Sequence, residues 1–555
     1  MENNQLIPLL RRSITWITPC KRSAARGRSA GLRPVRQHGN GWKPLLLFIY
    51  IICILPLAAQ PMTVKAIDQL VANSMKTFDV PGMAVAIVKD GKVILEKGYG
   101  VRSMNAPEKI DQHSLFAIAS NSKAFTAAAI AILVDRKLLK WDDRVIDYIP
   151  EFRLYSPYVT EEFTVRDLLC HRSGLGLGSG DLMIFPDGND YTVNELIHNM
   201  RYLKPVSSFR SKYDYNNLLF IVAGEVVKRA SGLSWNEFVE QNILTPLEMK
   251  RTGSNYLRIP DKTNIVDPHA VIDGKLQIID RHVLPLLDAA GGIYSSVHDL
   301  SKWVLMQLNE GNTLDGKQIF TPAVQRDMWS PQTIVRGRTG GPYNSHFVAY
   351  GLGWSVTDVA GYGQLSHTGG LPGIWTQITL IPELKLGIIV LTNQQCSQAF
   401  SSVTDQIKDS YLKVKGVDRV KTYNENFRKS QQNTQEIINK AWAEVKEQQA
   451  KGEKTDLTPF LGTYKDNWFG EVTIAIQNGK PWFTSKRSPK LTGELVNFKG
   501  NTMIAKWTDR TMEADAYVIF DLDYQGEASG FKMKWVSPAT DFSYDFHDLT
   551  FTKIK

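Results

Sequence analysis

Cysteine is scarce in this 555-residue chain: there are four, and two of them, Cys20 and Cys53, fall among the first 60 residues. Cys170 and Cys396 are left for the whole remaining body, which is no disulfide framework, and no Cys-x-x-Cys spacing offers a metal site. Both are expected to be small buried residues. Charge of one sign is also scarce once the N-terminus is set aside. The net charge is +9, but residues 1–43 hold nine basic side chains against Glu2 alone, so the rest is close to neutral. A near-neutral body exerts no general pull on phosphate backbones, which removes nucleic acid from the expected partners. Gly174, Gly176, Gly178 and Gly180 lack the Gly-x-Gly-x-x-Gly spacing and no Walker-type Lys-Ser follows, so no cofactor is implied.

A long uninterrupted apolar run is missing too. Leu45–Ala59 falls short of the ~20 residues of a comfortable membrane span and contains Pro56. Basic residues before it, and small residues just ahead of Gln60, read as a secretory leader over residues 1–60. Export to the periplasm or the exterior is expected, the mature chain starting near Gln60. The alternative is membrane association through an uncleaved leader anchored in the inner membrane. Nothing in the sequence sets the oligomeric state.

What the chain does have is Ser120-Asn121-Ser122-Lys123 at the head of an Ala-rich apolar run. Such a run predicts a helix from Ser120 to Leu139, with the serine at its start. A residue three positions on lies on the same face, so the Lys123 amine can take the Ser120 proton. The positive helix end disfavours ammonium at Lys123 and favours negative charge beside Ser120. That is the equipment of an acyl-transfer nucleophile. Ser410-Tyr411-Leu412-Lys413 and Ser529-Gly530-Phe531-Lys532 share the spacing, so the pattern alone does not decide. Two later motifs do: Tyr215-Asn216-Asn217, and the polar turn His367-Thr368-Gly369-Gly370. Only Ser120 precedes both.

In this order of motifs the chain resembles the class C β-lactamase and DD-peptidase superfamily of penicillin-recognising serine hydrolases. The likeness extends to Val80–Val88 with Asp90-Gly91, to Leu139–Asp143, to Thr164–Leu175 and to Ala290–Ser296. Together these cover residues 62–405. The resemblance implies an α+β fold, an α/β sandwich in which an antiparallel sheet built from both ends of the domain is flanked by helices and a helical lobe. It assigns Ser120, Lys123 and Tyr215 to catalysis, with Tyr215 relaying a proton to the leaving group. Asn217 is expected to offer its amide to the substrate carbonyl and to hold Lys123. Backbone N–H groups of Ser120 and Gly370 are expected to form the oxyanion hole. Gly369 completes the third motif, and His367 and Thr368 are expected to face the leaving group or a substrate carboxylate. The His-x-Ser-Gly stretch at His171 is expected to be structural.

Histidine where class C β-lactamases carry lysine separates this chain from true β-lactam resistance, because a neutral imidazole attracts a carboxylate less than an ammonium does. The leading reading is a secreted serine hydrolase of amides or small peptides, D-residues included. A β-lactamase or carboxylesterase, and a non-catalytic peptidoglycan- or peptide-binding protein, are the alternatives. Residues 406–456 turn polar, with apolar positions at near-helical spacing, and are expected as a helical linker. Residues 457–555 alternate as short strands, including an Asn478-Gly479 turn, and predict an all-β, barrel-like domain. This segment resembles the lipocalin-like domain appended to some members of the family, on Gly462-Thr463-Tyr464, Ala514-Asp515-Ala516 and Asp541–Phe546.

Overall fold

The computed structural model describes residues 61–335, 337, 340–451 and 456–554; the expected leader lies outside them. Helix α1 (Val64–Thr77) starts at Thr63, whose hydroxyl accepts from the Ala66 N–H, and it buries Ile67, Val71 and Ser74 on one stripe. Strands β1 (Gly82–Lys89) and β2 (Lys92–Gly100) form the hairpin around Asp90-Gly91. Helix α2 (Ser122–Asp135) is buried from end to end down to Leu133, which is why its sequence shows no polar stripe. Helices α3 (Leu218–Ser231) and α4 (Val297–Leu308) follow.

Six more strands then complete the sheet: β3 (Thr333–Val335), β4 (Val348–Tyr350), β5 (Ser355–Val359), β6 (Tyr362–Leu371), β7 (Ile374–Ile381) and β8 (Leu386–Thr392). The order is β2-β1-β8-β7-β6-β5-β4-β3, antiparallel throughout, so β1 and β8 from opposite ends of the domain lie side by side. Alternate residues of β1 feed two cores: Ala84, Ala86 and Val88 one, Met83, Val85 and Ile87 the other. A strand covered on both faces needs an unbroken apolar run, which is what Met83–Val88 supplies. Helix α4 covers the first face; α1 and α5 (Ser397–Tyr411) cover the second. Phe125 of α2 stacks on Trp303 of α4 at 4.0 Å and fixes the nucleophile helix to that layer.

Helix α6 (Arg419–Ala450) runs 32 residues. Near its start Phe427 meets Phe78 edge-on; near its end Ala441 and Val445 pack on Val496, Ile504 and Val536 of the C-terminal domain. The expected linker is therefore an ordered strut, and α5 continues through the boundary expected at residue 405. The C-terminal domain is a closed barrel of eight antiparallel strands in chain order: β9 (Gly462–Asp466), β10 (Gly470–Gln477), β11 (Lys480–Ser485), β12 (Thr492–Lys499), β13 (Thr502–Trp507), β14 (Ala516–Leu522), β15 (Ala528–Trp535) and β16 (Thr550–Lys553). Phe483, Phe520 and Phe551 meet around Phe531, so aromatic rings fill its interior.

Candidate active site

The nucleophile turn carries backbone strain. Ala119 sits at φ +48°, and Ala119–Asn121 form a single 3₁₀ turn ahead of α2, so the helix begins two residues later than expected. Ser120 is half-buried at this turn, while Lys123 is fully buried. Thr376 on β7 holds the turn: its hydroxyl donates to the Ile118 carbonyl and accepts from the Asn121 amide.

Lys123 Nζ lies 3.0 Å from Ser120 Oγ, 2.7 Å from Asn217 Oδ1 and 2.7 Å from the Ala290 carbonyl. The last two oxygens can only accept. A neutral amine has two N–H groups and one lone pair. Both N–H groups are taken by the two carbonyl oxygens, so the lone pair is left for the Ser120 hydroxyl. Burial agrees with this, pulling the Lys123 pKa down to about 7 against the opposing pull of Asp181.

Tyr215 is hydrogen-bonded to Ser120, and burial raises its pKa well above the ordinary phenol value, so the phenol keeps its proton. Asn217 stands at the N-cap position of α3 but makes no cap bond; Asn216 Oδ1 accepts the Leu219 N–H instead. This frees Asn217 Oδ1 for Lys123, while its Nδ2 donates to Asp181 Oδ2 at 2.7 Å. One N–H of the amide expected to serve the substrate carbonyl is thus held by a buried carboxylate, and Asn217 also lines the same cavity as Ser120. His171 is buried, and its Nδ1 accepts the Asn216 N–H at 3.1 Å, which anchors the Tyr-x-Asn segment.

The third motif needs two corrections. His367-Thr368-Gly369-Gly370 lies inside strand β6, not in a turn. His367 donates from Nδ1 to the Thr368 carbonyl at 2.6 Å and accepts the Tyr350 O–H at Nε2, 2.8 Å away. With both ring nitrogens engaged, and with burial and Lys123 lowering its pKa to about 3, it offers a substrate carboxylate neither charge nor donor. Gly369 is required by close approach, since a Cβ there would stand 2.0 Å from the Ile118 carbonyl oxygen. Ser120, Tyr215, Asn217, His367, Thr368 and Gly370 all line one cavity of about 510 Å³.

Sequence reasoning missed Asp181, Tyr350 and the contribution of the barrel. The loop after β15 reaches the catalytic residues. Asp541, Phe542, Ser543 and Tyr544 line the cavity, and Phe542 meets Tyr215 edge-on at 5.7 Å. Asp545 is buried and accepts the Gly180 and Leu182 N–H groups at 2.6 and 3.0 Å, clamping the 3₁₀ turn that carries Asp181. Gly178, at φ +71°, lets the loop in; a Cβ would lie 2.5 Å from the Phe542 carbonyl oxygen. The available signal was the run Asp541–Phe546 itself, two acids among aromatics between strands. Replacing Asp545 with alanine leaves two buried N–H groups unpaired, at about 1–3 kcal/mol each. The expected outcome is a lower denaturation midpoint together with a fall in kcat, measured by urea titration and steady-state rates.

Among the described residues no group of His, Cys, Asp or Glu is arranged to hold a metal ion, and Cys170 and Cys396 are buried thiols. The chain matches the model of the Beta-lactamase family over residues 67–411 and that of a domain of unknown function, DUF3471, over residues 446–553. It is similar to the unguisins hydrolase ungD of Aspergillus violaceofuscus, 25% identical over 464 residues that span 78% of this chain and 80% of that protein. Protein flp of Staphylococcus aureus (strain MW2) is 26% identical over 338 residues, 59% of this chain and 63% of flp. The solved structure of the octameric penicillin-binding protein homologue from Pyrococcus abyssi shares the fold, with a TM-score of 0.56 and 20% identity over 85% of this chain and 98% of that one.

Proposed function

Because the chain belongs to the Beta-lactamase family, we propose that it is a serine hydrolase that cleaves amide bonds of small or peptide substrates through an acyl-enzyme on Ser120. The observation that carries this reading is the arrangement around Lys123, whose lone pair has only the Ser120 hydroxyl left to face. Ser120 Oγ attacks the carbonyl carbon as its proton passes to Lys123 Nζ. The oxyanion is met by the backbone N–H groups of Ser120 and Gly370. As the C–N bond breaks, Tyr215 gives its proton to the leaving nitrogen and is reprotonated from the Lys123 ammonium. Water then attacks the ester, the same pair accepts and returns its proton, and the acid product leaves. A binding protein without turnover has no use for a desolvated amine held against a strained serine turn.

Amides and neutral esters suit the cavity better than carboxylate-bearing β-lactams. Among the described residues no lysine or arginine lines it, His367 is neutral, and Leu177, Phe185, Val348, Trp375 and Phe542 make much of its wall apolar. The extension to D-residues rests on the sequence resemblance alone. We place the working protein outside the cytoplasm on the composition of residues 1–60, and read the barrel as lipocalin-like on its eight strands in up-and-down order. A fluorophosphonate probe is expected to label Ser120 alone, read by peptide mass spectrometry. Label on Ser410 or Ser529, or hydrolysis that survives complete labelling, overturns the assignment.

A further inference from the structure

The charged groups on the cavity wall are few. Among the described residues the only formal charge that lines it is the carboxylate of Asp541, and that residue comes from the barrel, not from the hydrolase domain. Its Oδ1 accepts the Ser543 N–H at 2.9 Å, which fixes the direction of the carboxylate. Among the described residues it has no ion-pair partner. The side chain is exposed to the cavity yet closely surrounded by protein, and burial raises its pKa. An anion so placed is uncompensated until a cation meets it. Asp541 also lies on the Tyr215 side of the cavity: its neighbour Phe542 packs on the Tyr215 ring, and its charge is felt by both Tyr215 and Asp181.

From this arrangement we infer that Asp541 is the recognition group for a protonated amine, so that the site selects amides and peptides carrying a free amino group near the scissile bond and disfavours those carrying a carboxylate there. This rests on the hydrolase reading given above and names its substrate class. Charge complementarity is the first argument: one anion and no cation among the described lining residues, and apolar walls that strengthen a pairing made between them. The second concerns the proton donor. The Asp541 charge makes the Tyr215 phenol a weaker acid. An ammonium seated on Asp541 offsets that field, so a substrate with the amine improves the group that must protonate its own leaving nitrogen. Asp541 is thus a specificity-determining residue supplied in cis by a second domain.

The test uses the full chain and paired substrates, an aminoacyl p-nitroanilide with a free amine and its N-acetylated counterpart. The free amine is expected to be preferred in kcat/KM by about 10- to 100-fold, the range of a charge-assisted hydrogen bond. Asp541→Asn keeps the acceptor for the Ser543 N–H and is expected to bring the ratio close to one, while Asp541→Lys reverses it towards an N-succinylated substrate. An unchanged ratio in Asp541→Asn, or wild-type preference for the acetylated compound, overturns the inference. A second measurement needs no turnover: phenethylamine should slow fluorophosphonate labelling of Ser120 in the wild type and not in Asp541→Asn, whereas phenylpropionate should slow neither. Labelling of Ser120 that no amine protects sinks this inference alone. A Ser120 that does not label at all sinks the hydrolase reading, and this one with it.

Discussion

Replacing Ser120 with alanine is expected to lower kcat/KM on any accepted amide by on the order of 10⁴- to 10⁶-fold, as loss of a covalent nucleophile does when no other group can take its place. Stability should barely change. The hydroxyl is half-buried, and Lys123 keeps its two carbonyl partners, Asn217 Oδ1 and the Ala290 oxygen, when the serine oxygen is gone. A shift in unfolding free energy within about 1 kcal/mol, the worth of one ordinary hydrogen bond, is expected from denaturant titration. A variant that unfolds would instead make Ser120 a structural residue, and retained turnover would move the nucleophile elsewhere.

The second large effect falls on Lys123. Lys123→Met keeps the apolar stem and removes the base, at a cost of about 10²- to 10⁴-fold in kcat. Lys123→Arg keeps a cation that never deprotonates and should be as poor, which separates a proton acceptor from a mere positive charge. The pH profile supplies the sign. Only the neutral amine accepts the serine proton, so activity should climb tenfold per pH unit below about 7 and level off above it, following the lowered Lys123 pKa. Asp181 favours the ammonium form. Asp181→Asn should therefore move this rising limb to lower pH while leaving Asn217 an acceptor for its Nδ2. A limb that does not move, or moves towards alkali, would show that Asp181 does not act on the base.

Local patterns were legible where one segment decides its own structure. The Asp90-Gly91 hairpin, the Ala-rich helix after Ser120, and strands such as Thr502–Trp507 and Ala516–Leu522 follow from turn chemistry and periodicity within a few residues. Strand β12 (Thr492–Lys499) is not legible in this way, because Gly493, Asn497 and Lys499 break its apolar alternation, and its pairing with β13 makes up for that in three dimensions. The His367 motif reads as a turn from its two glycines. Its place inside β6 depends on Gly369 packing against Ile118, a contact 251 residues away in sequence. The roles of Asp181 and Asp541 were out of reach for the same reason. Each is one acid among many until the barrel docks, and neither lies at a fixed spacing from Ser120.

Helix α6 links the phase of one polypeptide element to the shape of the catalytic cavity. Its two ends are packed on different domains, and an α-helix turns by about 100° per residue. Inserting or deleting a single residue in its exposed middle would therefore swing the barrel around the strut rather than merely move it along, and would withdraw Asp541–Asp545 from the hydrolase domain. Seven residues, close to two whole turns, would restore the bearing but displace the barrel by about 10 Å. The length of α6 is thus as tightly constrained as an active-site residue, although none of its side chains touches the cavity. Exchange of C-terminal barrels between relatives should succeed only where the junction preserves both helical register and rise.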